Sequence, residues 1–177
     1  EGARAVSEYG LRLEQLVEEI LNLDRLETDD DLIEEDKIEV EQLLENTGLI
    51  FEKIIDSETR NLKIKKPDRK LYIKANPEKL KQVLLNLLDN AHKFSPETED
   101  IELGAAKIGD RIQFWVKDQG RGIPPEELDN IWERFYMIDK ARTPSQKGSG
   151  LGLGIVKQIV ESQDGDVFVE SELHQGS

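Results

Sequence analysis

Four glycines at alternate positions, Gly148, Gly150, Gly152 and Gly154, lead into an apolar helical pattern in KGSGLGLGIVKQIV, residues 147–160. Glycine removes the side chain from the path of a ligand, and a helix start offers unpaired N–H groups at the positive end of the macrodipole. Together they make an anion site. Two common phosphate motifs are excluded by spacing. No glycine here is followed by Lys-Ser or Lys-Thr, as a P-loop requires. The positions five after Gly148 and Gly150 are Leu153 and Ile155, where a dinucleotide fingerprint needs glycine. A flexible linker would not interleave Leu151, Leu153, Ile155 and Val156.

Two other groups of residues carry chemistry. Asn86, Asn90 and Lys93 sit at i, i+4 and i+7 of a helical pattern, with Lys79 and Gln82 extending the same face. Amide oxygens can ligate Mg²⁺, and lysine offers phosphate a point charge. A merely solvated helix face has the same composition. In VKDQGRGIPP, Asp118 follows an alternating strand pattern, with Gly120 and Gly122 beyond it. A carboxylate there can accept a hydrogen bond from the exocyclic amine of a base while the glycines let a flat ring approach the backbone. A plain Asp-Gly turn reads the same way.

The elements that must position these groups follow from periodicity. Val6, Tyr9, Leu13, Leu16, Ile20 and Leu23 form a heptad seam, widened by Leu11, Val17 and Leu21, that fits a helical bundle. ETDDDLIEED, with seven carboxylates in ten residues, predicts a solvated connection and a domain boundary. VEQLLENTGLIFEKII predicts a helix with Val40, Leu43, Leu44, Phe51, Ile54 and Ile55 inward and an imperfect middle at Gly48. Two short strands flank Pro67-Asp68. Asn76-Pro77 opens a helix with Leu80, Val83, Leu84, Leu87, Leu88 and Ala91 inward. DIELGAA and DRIQFWVKD form a hairpin about Gly109, and PPEELDNIWERF predicts a helix with Leu128, Ile131, Trp132 and Phe135 inward. The glycine run, its helix and a strand DVFVESE complete an α/β order with helices layered on one face of a mixed sheet.

The chain of 177 residues is 37% hydrophobic and 35% charged, enough to bury a core in one domain with an appended element. Its net charge of −14 argues against a nucleic-acid or anionic-membrane surface. The absence of cysteine excludes disulfides, thiol nucleophiles and thiolate metal sites. No run approaches the roughly 18 apolar residues of a membrane span, so no membrane contact by this segment is expected.

Taken in order, NLLDNAHKF, DQGRGIPP, WERFY and GSGLGLGIV resemble the N, G1, F and G2 boxes of sensor histidine kinases, in the GHKL (Bergerat) ATP-binding fold. That fold is shared with type II topoisomerases, mismatch-repair ATPases and a heat-shock chaperone. The resemblance covers about residues 30–177, and it makes residues 1–29 look like the second helix of the dimerisation and phosphotransfer bundle. It implies a two-layer α/β sandwich that binds ATP and Mg²⁺, the phosphates lying at the glycine run beneath a lid of about Met137 to Lys147. By matching positions, Asn90 would ligate Mg²⁺, and Asn86 and Lys93 would lie near the phosphates as the catalytic pair. Gly148, Ser149, Gly150, Leu151 and Gly152 would cradle the phosphates, with Arg142 and Lys147 from the lid. Asp118, Gly120 and Gly122 would hold the adenine, walled by Phe94, Ile123, Tyr136 and Leu153. Trp132 and Phe135 would pack to position the lid.

The resemblance also bears on reaction class. ATP-hydrolysing relatives carry a glutamate four residues before the metal-binding asparagine, where this chain has Asn86, so phosphoryl transfer is implied over hydrolysis. The usual acceptor histidine lies on a first bundle helix absent from this sequence, and His92 and His174 lie outside its context and read as structural or surface residues. The chain therefore looks like a fragment or part of a split assembly, from a homodimeric parent that acts in the cytoplasm, anchored in a membrane or not, and serves a response-regulator receiver domain. Met137 stands where many family members have a phosphate-directed arginine, with Arg134, Arg142 and Lys147 as substitutes; Gly154 replaces the usual alanine, and one further strand usually follows the last residues, HQGS. The rival readings are a nucleotide-sensing interaction module without catalysis and an ATPase.

Overall fold

The computed structural model describes residues 36–55, 61–138 and 149–177. The expected bundle helix, the boundary near residue 30 and most of the lid, with Arg142, Lys147 and Gly148, lie outside the described residues.

β1 (Asp36–Glu39) leads directly into α1 (Val40–Ile55). Then come β2 (Leu62–Lys65), β3 (Tyr72–Ala75), α2 (Pro77–Phe94), β4 (Ile101–Ile108) and β5 (Arg111–Lys117). Two short 3-10 helices (Pro125–Glu127 and Asn130–Trp132) precede α2's partner, α3 (Gly152–Glu161). The strands around Pro67-Asp68 do not pair with each other. β2 runs parallel to β4, which pairs antiparallel with β5, while β3 pairs antiparallel with β1. A parallel pair needs a long crossover, and β3 and α2 supply it.

The mixed sheet has one apolar face. Leu62, Ile64, Ile101, Leu103, Ala105, Phe114 and Val116 alternate inward along their strands and pack under α1 and α2. This is the expected helix-on-sheet layering. α2 follows its sequence signals closely: the Asn76 side chain accepts the Lys79 N–H at 2.8 Å, Pro77 occupies the first turn, and the helix stops at Ser95 ahead of Pro96. Its Leu84 and Leu88 are fully buried, each contributing roughly 1.5–3 kcal/mol.

Several expectations are corrected. In α1, Ile54 is 67% exposed although its spacing continues the buried stripe of Val40, Leu43, Leu44, Thr47 and Phe51, because it lies in the last turn of the helix, beyond the last buried residue, Phe51. Gly48, the apparent flaw in that helix, is buried against β2: a Cβ there would lie 2.8 Å from Ile64 Cδ1. PPEELDNIWERF is no α-helix but two 3-10 turns, and Phe135 is 59% exposed at φ +64 instead of packed. Among the described residues DVFVESE forms no ladder, and its Glu172 makes an isolated bridge with Gly176. β1 was invisible to periodicity, since DKIE carries one apolar residue in four.

Candidate nucleotide-binding site

α2, the turn after β5 and the start of α3 converge. Asn86 and Asn90 are half-buried on the face of α2 that turns from the leucine core, and the Asn90 Nδ2 lies 3.8 Å from where a Gly152 Cβ would sit. The N box therefore faces the first turn of α3. Among the described residues no side chain caps that turn; Ser149 Oγ instead accepts the Leu151 N–H at 3.2 Å, one residue ahead of the helix. The buried Asn86 Nδ2 has no hydrogen-bond partner among the described residues. A buried amide normally has one.

The G1 turn closes a second side. Asp118 follows β5, as its strand-end position predicts, and its Oδ1 accepts the Gly120 N–H at 2.7 Å. Gly120 is buried against the end of α2, with the Phe94 carbonyl oxygen 2.6 Å from a hypothetical Cβ. Ile123 donates its N–H to Ser171 Oγ at 2.8 Å. Phe94 is 40% exposed, and the Arg121 guanidinium lies over its ring at 5.1 Å from the centroid.

The F box meets the glycine run through backbone. Phe135 donates its N–H to the Gly150 carbonyl at 2.9 Å, and Gly150, at φ +74, leaves no room for a Cβ, which would lie 2.8 Å from Phe135 C and Tyr136 O. The left-handed conformation costs Phe135 roughly 1–2 kcal/mol. The Tyr136 hydroxyl donates to Glu127, and that bond holds the phenol above its ordinary pKa. Leu153, the remaining proposed wall residue, is half-buried in the first turn of α3.

Of the three basic substitutes for Met137, only Arg134 is described, and its guanidinium donates to Gln158 Oε1 at 2.8 Å along α3. His92 sets its ring edge-on to Phe51, with centroids 6.1 Å apart, and His174 lies exposed on a turn. Arg121, Asp89 and Glu127 escaped sequence reading. Arg121 alone had a local signal, a cation between two G1 glycines. An open groove of about 720 Å³ between β1, α1 and the start of α2 contains none of the candidate residues.

Gly154 packs beside Arg134, whose flexible Cγ is the nearest atom to a hypothetical Cβ, at 3.1 Å. Gly154→Ala is therefore expected to stabilise the protein by about 0.5–1 kcal/mol through helix propensity, read as a higher urea midpoint.

A half-buried amide face, an uncapped glycine-led helix start and a carboxylate-glycine turn define a nucleotide-binding class of site. Residues 75–177 match the family model described as histidine kinase-, DNA gyrase B- and HSP90-like ATPase. The sensor histidine kinase WalK of Bacillus subtilis (strain 168) is 32% identical over 164 residues, covering 90% of this chain and 26% of the relative. Sensor protein SrrB of Staphylococcus aureus (strain N315) is 30% identical over 177 residues, covering 100% of this chain and 30% of the relative. Full-length ShkA in complex with AMPPNP superposes with a TM-score of 0.80 at 30% identity, covering 97% of this chain and 35% of that one. The mycobacterial sensor histidine kinase MprB gives a TM-score of 0.62 at 26% identity, covering 73% of this chain and 80% of that one. The chain belongs to the histidine kinase-, DNA gyrase B- and HSP90-like ATPase family and is similar to the corresponding region of sensor histidine kinases. It spans less than a third of the length of the curated relatives it matches.

Proposed function

We propose that this region directs the γ-phosphoryl group of ATP to a histidine on a separate helix, for relay to an aspartate of a response-regulator receiver domain. The observation that carries the reading is the approach of Asn90, on the helix face that also carries Asn86 and Lys93, to the start of α3 at Gly152. In this reading the first-turn amides of α3 take phosphate oxygens, with Ser149, Gly150 and Leu151 leading into them. Lys93 supplies a cation, Asp118 accepts the adenine amine, and Phe94, Ile123, Tyr136 and Leu153 flank the base and ribose. Arg142, Lys147 and Gly148 complete the phosphate side from the lid.

Mg²⁺ fits this donor set. A hard cation accepts amide oxygen together with substrate phosphates and water, so Asn90 would hold it, and the orphaned Asn86 amide is available to a phosphate oxygen. Bound there, the ion would neutralise charge developing on the transferred group. Asn86 offers no carboxylate to deprotonate water, which favours transfer over hydrolysis. Positioning then supplies most of the rate.

The same reading assigns residues 1–29 to the bundle, pairs the parent as a homodimer and places this region in the cytoplasm. Among the described residues, no helix is long and apolar enough to cross a membrane. Incubation with γ-labelled ATP, Mg²⁺ and a supplied acceptor-histidine helix is expected to label the helix. Asn90→Ala should lower that rate about 100-fold, the scale of loss seen when one preorganised group that stabilises developing charge is removed. Tight ATP binding without labelling would leave a nucleotide-sensing module, and rapid phosphate release without acceptor would point to an ATPase.

A further inference from the structure

Asp89 is used by none of the assignments above, yet it holds one of the residues they use. Asp89 and Lys93 lie four residues apart on α2 and form an ion pair, at 52% and 41% side-chain exposure. At 3.6 residues per turn, Lys93 projects about 60° from Asn90 around the helix and Asp89 about 100° on the same side. The pair thus holds the ammonium on the Asp89 side of the helix, turned around α2 from the Asn90 direction that faces Gly152.

For Lys93 to reach a phosphate it must leave Asp89 or carry that carboxylate's charge with it. Either is costly toward a bare polyanion, because the carboxylate both competes for the cation and repels the incoming phosphates. A nucleotide that arrives with a divalent cation meets neither cost in full. The ion neutralises part of the phosphate charge, and its coordinated waters give Asp89 donors to replace the ammonium.

We infer that Asp89 is a positioning residue: it restrains Lys93 until the metal-loaded nucleotide is present, so that the site favours MgATP over free ATP. This rests on the nucleotide reading proposed above. The alternative is an ordinary i, i+4 surface pair, which would support α2 slightly and leave nucleotide affinity unchanged.

Calorimetric titration of the full chain with ATP in EDTA, and separately with ATP and excess Mg²⁺, separates the two. Asp89→Asn is expected to tighten metal-free ATP about fivefold, the effect of one partly exposed charge, while changing MgATP less than about twofold. Asp89→Glu should restore the wild-type Mg²⁺ preference. In a Lys93→Met background the tightening should shrink, since no restrained ammonium remains. An Asp89→Asn variant with the wild-type ratio of MgATP to ATP affinity overturns the inference, as does a tightening that persists at full size without Lys93. Failure of the wild type to bind either form would instead overturn the nucleotide reading and this inference with it.

Discussion

Gly122→Ala is expected to lower the unfolding free energy by about 2–5 kcal/mol and to weaken nucleotide binding with it. Gly122 is buried at φ +68, and a Cβ would lie 2.1 Å from the Glu172 carbonyl oxygen, 2.7 Å from its carbon and 2.9 Å from Leu173 Cα. All three are backbone atoms, so no rotamer change makes room. Relief requires the 171–174 segment to move, and two hydrogen bonds oppose that: His174 N–H to the Arg121 carbonyl at 2.7 Å and Ile123 N–H to Ser171 Oγ at 2.8 Å. Positive-φ strain of about 1–3 kcal/mol adds to the loss of one or both bonds at about 1 kcal/mol each. Urea unfolding followed by circular dichroism measures the cost. A loss below about 1 kcal/mol would mean that the turn after β5 is far softer than these contacts imply.

Asp118→Asn is expected to raise the Kd for ATP about 100-fold while leaving the unfolding midpoint nearly unchanged. The wild-type carboxylate has acceptor sites for both the Gly120 N–H, at 2.7 Å, and the exocyclic amine that the proposed function assigns to it. Asparagine has one oxygen. If it stays on the Gly120 N–H, the amide NH₂ faces the adenine amine, donor against donor, and a charge-assisted bond worth about 1.5–3 kcal/mol is lost with a repulsion added. Calorimetry with ATP and with GTP tests the cause. Affinity should fall for ATP more than for GTP, whose ring presents a carbonyl at the corresponding position, so the preference for adenine should narrow. An equal loss for both nucleotides would assign Asp118 to shaping the turn and not to reading the base.

The two expected results differ in what made them legible. Asp118 could be singled out from the sequence because its signals are local: an alternating strand, an acidic residue at its end and glycines immediately after. Gly122 could be named as part of the same turn, but nothing nearby in the chain announces that Glu172, fifty residues on, presses its carbonyl against it. The same contrast holds at the phosphate side. The i, i+4, i+7 spacing put Asn86, Asn90 and Lys93 on one helix face, whereas the ion pair that turns Lys93 toward Asp89 required side-chain positions.

Sequence alone determined the class of the fold, the caps and core face of α2, the β4–β5 hairpin, the glycine-led start of α3 and the four boxes that mark the family. Each depends on neighbours within a turn or two of chain, where propensity, capping and periodicity act. Tertiary structure decided which strands pair, and so placed β2 beside β4 and β3 beside β1. It left Ile54 and Phe135 in solvent, reduced the F-box segment to two 3-10 turns, and joined Phe135 to Gly150 through backbone. Those outcomes depend on competition among distant surfaces for burial and for backbone hydrogen bonds. A strand pattern names the face to be buried but not the partner that buries it.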